Sequence, residues 1–405
     1  MKILFLTSEG FDTPNSTNHL CETLLEDMLK AGIAVHSITS HKTGKYADIP
    51  EKLLAYDHFE YSIIQRDNID KNNFVKRYLD EIKYAFKAKK IWKKHKKEYD
   101  AVLMQSNPNS VFNAVLLKSA LKKPIVLNLY DVFPGHAKSI GVIKSSFVYE
   151  VLRKIQRVLY RKCDYIVSMS DDMKAQLIAE KVPEKKIKVI NCWFDNSVFQ
   201  DIPREENRFF ARNPELDKNK FYVQFAGLLG YVFDYKMFVD TAALLEKETD
   251  IEFLLIGDGT QRSVVLDEIK KRGLKNIRCY SWQPLEIIAD VYSACDVGII
   301  PLKPGVIGNG VPSKACQLMA ARRVIVNSVE ESGYTELFER NEMGINVTTH
   351  KPEDVAAAIL KLKNNPELRK KLGDNAHAFS YQNYSREMNT QKFIDVITSL
   401  GKENT

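Results

Sequence analysis

Strand-length apolar runs alternate with amphipathic helical segments along almost the whole chain, and this alternation limits the fold more than any other feature. Residues 2–7 form an apolar run of strand length, and residues 18–31 then repeat leucine and methionine at helical spacing. Gly32 ends that helix, and residues 34–39 form the next strand-length run. Strands that alternate with helices form parallel sheets covered by helices on both faces. The sequence therefore predicts an α/β protein.

The alternation has two halves, separated by a polar stretch at residues 195–220 that carries Pro203 and Pro214. A chain of 405 residues has room for two domains of ordinary size. We predict two doubly wound parallel-sheet domains, residues 1–200 and residues 201–383, with the polar stretch as the linker. The predicted strands are 2–7, 34–39, 101–104, 125–129, 165–169 and 188–191 in the first half, and 222–225, 252–256, 277–280, 297–300, 324–327 and 345–347 in the second.

Positive charge is concentrated in the first half. Residues 1–200 hold 32 basic and 23 acidic residues, a net +9, whereas the remainder holds 27 and 29, a net −2. This asymmetry indicates either a solvated basic face or contact with a polyanion, nucleic acid or anionic lipid. Two basic amphipathic segments, residues 74–97 and 147–162, suit an anionic membrane surface as well as a core contact. No nucleic-acid-binding motif accompanies them, so a membrane is the favoured partner and nucleic acid is not expected.

Cysteine usage and hydropathy bound the compartment. The six cysteines are scattered without a Cys-x-x-Cys pair, which argues against a disulfide framework or a zinc ribbon. No secretory signal and no 18-residue uncharged apolar stretch occurs. We therefore expect a cytoplasmic protein, peripheral at most on the inner face of the plasma membrane. No Asp-x-Asp motif follows a predicted strand and no histidine–carboxylate cluster has ligand spacing, so neither a metal ion nor another cofactor is expected.

The loops that follow the strands are the places where parallel sheets bind ligands. One predicted strand runs directly into Gly257, Asp258 and Gly259, where two glycines permit a sharp turn and close approach of a ligand. Such a turn also occurs without a ligand, so the motif by itself leaves both interpretations open.

The glycine-rich loop at residues 301–313 is more informative. It leads to Ser313, the expected N-cap of a helix, and to Lys314 at the helix start. Free amides and one lysine together form a seat for a phosphate group. The Gly-x4-Gly-Lys-Ser/Thr motif is absent, which argues against a P-loop ATPase.

Four segments resemble retaining glycosyltransferases of family 4, which have the GT-B fold. Residues 253–259, 294–301 and 311–320 are similar to the family's Gly-x-Gly turn, its alanine–aspartate strand and its donor-diphosphate loop. Residues 130–134, Tyr-Asp-Val-Phe-Pro, resemble the Asp-Leu-Trp-Pro segment of the fucosaminyltransferase-like branch, which serves capsule, O-antigen and exopolysaccharide synthesis. The resemblance covers nearly the whole chain. It implies two Rossmann-like domains facing across a cleft, with helix 384–400 packed back on the first.

The resemblance also implies a role for each matching residue. Asp131 would be the catalytic residue, Lys314 would hold the diphosphate and Trp282 would border the base. The implied substrate-binding residues are Ser16, Thr17, Gly227, Gly230, Gly257, Asp258, Gly259, Trp282, Asn309, Gly310, Val311, Pro312, Ser313, Lys314 and Gln317.

The chain departs from the family pattern at several positions. Asn309 and Gln317 stand where the family carries two glutamates eight positions apart, and Tyr130 stands where a histidine is common. Leu228 and Phe233 stand where the family has an arginine and a lysine, so fewer cations remain for the diphosphate.

The implied activity is retaining transfer of a hexosyl or N-acetylhexosaminyl group from a nucleoside-diphosphate sugar, with UDP favoured. The acceptor would be a polyprenyl-diphosphate-linked or growing glycan in surface polysaccharide synthesis. Two alternatives stay open. A nucleotide-sugar 2-epimerase of this fold would convert its donor without an acceptor, and the neutral Asn309 and Gln317 suggest a non-catalytic GT-B partner subunit.

Overall fold

The computed structural model describes residues 1–11, 18–41, 49–67, 74–107, 110–309 and 312–402. The chain divides into two compact units. The first comprises Met1–Asn191, Gly308–Val311 and Asn389–Thr405, and the second comprises Cys192–Ile307 and Pro312–Met388.

The first unit is built on a seven-stranded sheet in the order β3-β2-β1-β4-β5-β6-β7, with every neighbouring pair parallel. Its strands are β1 (Lys2–Leu6), β2 (Ala34–His41), β3 (Phe59–Gln65), β4 (Ala101–Gln105), β5 (Ile125–Asn128), β6 (Tyr165–Ser168) and β7 (Ile187–Val189). Its helices are α1 (Asn18–Lys30), α2 (Glu51–Leu54), α3 (Phe74–Trp92), α4 (Ser110–Ala120), α5 (Gly135–Ser139), α6 (Ser146–Lys162) and α7 (Asp171–Ala179).

The second unit is built on a six-stranded parallel sheet in the order β10-β9-β8-β11-β12-β13. Its strands are β8 (Phe221–Ala226), β9 (Ile251–Ile256), β10 (Ile277–Tyr280), β11 (Val297–Pro301), β12 (Val324–Ser328) and β13 (Gly344–Val347). Its helices are α8 (Arg208–Arg212), α9 (Tyr235–Leu244), α10 (Arg262–Arg272), α11 (Ile288–Ser293), α12 (Lys314–Ala320), α13 (Gly333–Arg340), α14 (Pro352–Asn364) and α15 (Pro366–Asn383). The last helix, α16 (Arg386–Lys402), follows.

The central strands of both sheets are buried on both faces. In β1, residues 3–6 are at most 1% exposed, and all six residues of β8 are buried. Helices that cover both faces of a parallel sheet produce such continuous apolar strands. The predicted α/β architecture with two doubly wound parallel sheets is therefore confirmed.

One strand was missed by the sequence pattern. β3 pairs only with β2 and forms an edge of its sheet, where Glu60 and Tyr61 are exposed. An edge strand that faces solvent carries polar residues and lacks the apolar run that marks the inner strands.

The predicted linker is not a free connection, which corrects the interpretation of residues 195–220. The division between the units falls after Asn191, and the whole stretch belongs to the second unit. Within it, Phe209 and Phe210 of α8 are buried, and the Asn207 side chain caps this helix and donates to the Asp290 carbonyl at 2.8 Å. Two aromatic residues in a polar stretch were too weak a signal to predict this packing.

The end of the chain returns to the first unit from Asn389 onward. There, the Thr390 hydroxyl donates to the Asp27 carboxylate of α1 at 2.9 Å, and Phe393 and Ile397 of α16 are buried.

Candidate functional site

Backbone contacts bind together the loops that follow β8 and β9 in the second unit. The Gly227 amide donates to the Ile256 carbonyl at 2.8 Å, and the Leu229 amide donates to the Asp258 carbonyl at 2.8 Å. A Cβ at Gly257 would lie 2.0 Å from the Gly227 oxygen, and one at Gly259 would lie 2.5 Å from the Leu229 oxygen. Both glycines have positive φ, 134° and 154°. Only glycine permits this close approach of the two loops.

Lys314 lies directly beside this pair of loops. A Cβ at Gly227 would be 2.2 Å from Lys314 Cε, and the Lys314 ammonium lies 5.1 Å from the centre of the Phe225 ring. Burial lowers the pKa of Lys314 from 10.5 to about 8. Within the described residues no carboxylate forms an ion pair with it. A desolvated cation without a counter-ion, at the carboxyl end of a parallel strand, is suited to bind an anionic ligand.

The first part of the glycine-rich loop is held by a residue that the sequence did not single out. The two carboxylate oxygens of Glu330, which follows β12, accept hydrogen bonds from the amides of Gly305 and Ile307, the latter at 2.8 Å. This carboxylate joins the loops that follow β11 and β12. Its partners are 23 and 25 positions away in the chain, so no local motif reveals it.

Two further residues support the loop after β8. Gln261 is buried, and its side-chain amide donates to the carbonyls of Gly230 and Phe233, the latter at 3.0 Å. The Arg262 guanidinium donates to the carbonyls of Gly257 and Tyr280, at 2.6 and 3.0 Å. Both residues therefore orient the strand ends through backbone oxygens and were not expected from sequence.

The structure brings together Gly227, Gly257, Gly259 and Lys314 of the predicted substrate-binding residues. Asp258 is exposed, and its carboxylate accepts a hydrogen bond from the Gly259 amide at 2.7 Å. The remaining residues of the set in this unit are placed as follows: Gly230 in the loop after β8, Trp282 (45% exposed) in the loop after β10, Pro312 and Ser313 just before α12, and Gln317 within α12.

One expectation about this set is wrong. Ser313 is not a side-chain N-cap, because its backbone is already helical, with φ −55° and ψ −22°, and its side chain forms no capping hydrogen bond. Four other predicted site residues, Ser16, Thr17, Gly310 and Val311, lie outside the described residues.

Asp131 lies in the first unit, three residues after the end of β5. Its side chain is 54% exposed, and its Oδ1 atom lies 3.5 Å from Nδ1 of His136 in α5. Desolvation raises the pKa of the Asp131 carboxyl, and the electrostatic interaction with His136 lowers it. His136 was not predicted as a site residue; a turn with a cis peptide bond between Phe133 and Pro134 separates it from Asp131 in the chain.

Asn309 groups with the first unit and contacts the same turn. The Val132 amide donates to the Asn309 carbonyl at 2.9 Å, and a Cβ at Gly135 would lie 2.2 Å from Asn309 Oδ1. Asn309 therefore lies beside the turn that carries Asp131, and its side chain fits there because residue 135 is a glycine.

Tyr130 stands where the family commonly has a histidine, and its side chain is turned into the first unit. Its hydroxyl lies 3.4 Å from Cys21 Sγ and accepts a hydrogen bond from Asn128 at 3.2 Å. Burial raises the pKa of Tyr130 well above its ordinary value. The phenol is thus part of the interior of the first unit.

Three possible metal ligands lie close together in the first unit, outside the residues that the sequence singled out. Glu60, His95 and Glu98 bring their ligand atoms within 4.8 Å of one another in the first unit. The Lys2 ammonium lies between the two carboxylates, at 2.8 Å from Glu60 and 2.6 Å from Glu98. A metal ion would have to displace this ammonium, so the cluster as it stands is an ion-pair network near the start of β1. Glu60 lies in β3, far along the chain from His95 and Glu98, so no local spacing reveals the whole cluster.

Comparison with known proteins gives consistent matches to both halves of the chain. The model of the family described as glycosyl transferases group 1 matches residues 206–379, and that of glycosyltransferase family 4 matches residues 18–198. A curated relative, "Probable glycosyltransferase WbjE" of Pseudomonas aeruginosa, is 28% identical over the full length of both chains.

Solved structures show the same fold. HepE of Anabaena, in complex with UDP and glucose, has a TM-score of 0.75 at 16% identity and is matched over 98% of this chain and 100% of its own. Sucrose-phosphate synthase of Thermosynechococcus elongatus has a TM-score of 0.77 at 16% identity, over 98% of each chain.

Proposed function

Because the chain belongs to the family 4 glycosyltransferases of the GT-B fold, we propose that it transfers a sugar from a UDP-sugar, with retention of configuration, to a polyprenyl-diphosphate-linked or growing glycan acceptor. The HepE complex with UDP and glucose supports UDP as the donor nucleotide. The segment that resembles the fucosaminyltransferase-like branch, residues 130–134, supports a role in surface polysaccharide synthesis.

The observation that carries the donor proposal is the position of Lys314. Its stem passes over Gly227 at the end of β8, where the loops after β8 and β9 are joined by backbone contacts. A diphosphate bound there would supply the counter-ion that Lys314 lacks among the described residues. The free energy of desolvating the ammonium has already been spent in folding, so the interaction with a phosphate is stronger than at an exposed lysine.

The chemistry demands a group that stabilises the leaving diphosphate. As the bond from C1 of the sugar to the β-phosphate oxygen breaks, negative charge grows on that phosphate and the sugar gains oxocarbenium character. A fixed cation such as Lys314 stabilises the developing charge more than it stabilises the bound donor. Glu330 contributes indirectly, because its bonds to the amides of Gly305 and Ile307 fix the loop that leads to Lys314.

Asp131 is the proposed group of the first unit. It would accept a hydrogen bond from a sugar or acceptor hydroxyl, or favour the cationic sugar in the transition state. Neither role needs a metal ion, and we propose that the reaction proceeds without one.

We also propose that the protein associates with an anionic membrane surface through its first unit. The first two turns of α6 expose Phe147 (79%), Val148 and Val151, with Lys144 and Lys154 exposed nearby. Cations beside exposed apolar side chains bind anionic lipid, at roughly 1 kcal/mol for each Lys or Arg near the surface.

The second basic helix, α3, exposes Leu79 and Phe86 among the exposed lysines Lys83, Lys87 and Lys90. None of the helices in the described ranges is long and apolar enough to cross a membrane. A lipid-linked acceptor would give surface contact a purpose, and the reducing cytoplasmic side is where we place the reaction.

The donor proposal is tested by isothermal titration with UDP, GDP, CMP and ADP. We expect selective binding of UDP and a loss of about 1.5–3 kcal/mol in Lys314→Ala, the usual contribution of a charged hydrogen bond. Lys271→Ala, an exposed lysine at the far end of α10, is the matched control and should bind UDP as the wild type does. Unchanged UDP affinity in Lys314→Ala would remove this residue from the site.

Assays with nucleotides and UDP-sugars also distinguish a transferase from the two alternative functions. A non-catalytic partner subunit, which the neutral Asn309 and Gln317 favour, would bind no nucleotide or bind it without consuming any UDP-sugar. A 2-epimerase would convert the UDP-sugar to its epimer with no acceptor present. Analysis of the sugar product by NMR distinguishes these results from transfer, and it also reports the anomeric configuration.

A further inference from the structure

His136 is a titratable residue that the proposed reaction leaves without a role. It lies in the first turn of α5, and its Nδ1 atom is 3.5 Å from Oδ1 of Asp131. This separation is longer than a good hydrogen bond but within the range of an ion pair. Both residues belong to the first unit.

We propose that His136 is a positioning residue that keeps the Asp131 carboxylate ionised and oriented toward a hydroxyl of the sugar or the acceptor. The proposal rests on the proposed function for the role of Asp131, whereas the pairing of the two side chains stands on geometry alone.

The surroundings of the imidazole support this role. His136 Nδ1 is buried and has no hydrogen-bond partner among the described residues. Leaving a buried polar nitrogen unpaired destabilises a fold by about 1–3 kcal/mol, so packing alone gives no reason for a histidine here. The backbone amide of His136 donates to the Val132 carbonyl at 2.9 Å and fixes the start of the helix that carries the ring. The imidazole ring is therefore held at a defined distance from the Asp131 carboxylate.

The Asp131 carboxylate, in contrast to the buried Nδ1 of His136, is accessible to a ligand. The Asp131 side chain is 54% exposed, so a ligand can reach it while one oxygen faces His136. Desolvation raises the pKa of Asp131, and the charge of His136 acts in the opposite direction. An imidazolium at this distance thus favours the ionised carboxylate that a hydroxyl group needs as its acceptor.

The other groups around Asp131 are neutral or directed elsewhere. The Tyr130 hydroxyl faces Cys21 and Asn128, and the side chain of Asn309 packs against Gly135. Lys138, the cation of α5, lies 4.3 Å from the centre of the Tyr149 ring. Among the described residues, His136 is the one whose charge acts on the Asp131 carboxyl.

The pairing is tested by NMR of the full-length protein with labelled histidine rings, in which His136→Gln assigns the His136 signals. We expect the His136 ring signals to move in Asp131→Asn, because the neutral amide changes the electric field at the imidazole. Unchanged His136 ring signals in Asp131→Asn overturn the proposal, whether or not the protein transfers sugar.

The role is tested by following UDP release from UDP-glucose and UDP-N-acetylglucosamine as a function of pH, with a polyprenyl-diphosphate-linked glycan, or water in slow hydrolysis, accepting the sugar. We expect His136→Gln to shift the acid limb of kcat/KM upward by about one pH unit or more, because Asp131 then takes up a proton more readily. His136→Lys, which retains a cation, should restore part of the shift, and Lys138→Ala on the same helix should leave the limb in place.

The outcomes separate the two levels of the proposal. A loss of activity in His136→Gln that is equal at every pH, or an unshifted limb, would mean that the histidine has only a structural role. If the wild type releases no UDP from either sugar nucleotide with the glycan acceptor present, the proposed function fails, and the His136 ring signals still decide whether the pair exists.

Discussion

Gly227 and Lys314 compete for one space in the second unit, since a Cβ on Gly227 would stand 2.2 Å from Lys314 Cε. The stem of the lysine crosses the end of β8 only because residue 227 has no side chain. The position of the ammonium is thus specified by two residues, one of which carries no functional group.

We expect Gly227→Ala to weaken UDP binding by about tenfold or more while the protein remains folded. The alanine methyl displaces the flexible end of Lys314, and the positive φ of 139° adds backbone strain. Gly273→Ala is the control, because residue 273 also has positive φ, 68°, but its Cβ would meet nothing within 4 Å. Isothermal titration and thermal unfolding of both variants check this. Equal UDP affinity in the two variants would contradict the steric argument.

The affinity for UDP should fall as the pH rises above about 8. In the free protein Lys314 loses its proton near this pH, whereas the diphosphate binds best to the charged form. The decrease approaches tenfold per pH unit if one proton is taken up on binding. Titrations in buffers of different ionisation enthalpy count that proton, and Lys314→Met should abolish the uptake.

The same lysine affects the stability of the free protein. Between about pH 8 and 10.5 the unfolded chain binds a proton at this residue and the folded chain does not. The free energy of unfolding therefore gains a contribution that rises with pH in this range. Comparison of urea unfolding for the wild type and Lys314→Met across the range isolates this contribution, which should be missing from the variant.

Glu330→Gln should raise KM for the UDP-sugar by about tenfold with a smaller change in the melting temperature. The carboxamide offers one acceptor oxygen in place of two, so the amide of Gly305 or Ile307 loses its partner. Glu331→Gln, at the exposed neighbouring residue, is the matched control. Steady-state kinetics and thermal unfolding separate the two effects. A fall in melting temperature without any change in KM would assign Glu330 to folding alone.

The apolar turn of α6 should dominate membrane binding over α3. Burial of a phenylalanine contributes about 1.5–3 kcal/mol, so Phe147→Ser should reduce the partition onto anionic vesicles by tenfold or more. Phe86→Ser in α3 changes the same residue type in the other basic helix and should have the smaller effect. Flotation with phosphatidylglycerol vesicles at low and high salt measures both. No binding of the wild type at low salt would contradict the membrane proposal.

The fold could be predicted because its inner strands are buried on both faces. Runs such as residues 253–256 are continuous and apolar, and each is followed by a turn and an amphipathic helix. The same criterion failed at β3, where Glu60 and Tyr61 face solvent at the sheet edge. It failed again at Phe209, since two buried aromatic residues do not create a periodic pattern.

The candidate site could be predicted only where its residues are local in sequence. Lys314 was singled out because glycines and a helix start lie next to it in the sequence. Glu330 accepts hydrogen bonds from amides more than 20 positions away. His136 contacts Asp131 across a turn whose geometry cannot be predicted from the sequence. Long-range pairing depends on how strand ends are aligned in the sheet, and this alignment is absent from any local pattern.

The backbone hydrogen bonds between the loops after β8 and β9 have a consequence for which residues of this region can change during evolution. Leu229 uses its amide toward Asp258 and its carbonyl toward Gln261, so the frame of the site is built from main-chain groups. The exposed side chains of Leu228 and Trp282 are not part of these main-chain contacts. Under the proposed function, substitutions at these two positions can therefore change nucleotide preference while the main-chain frame stays intact.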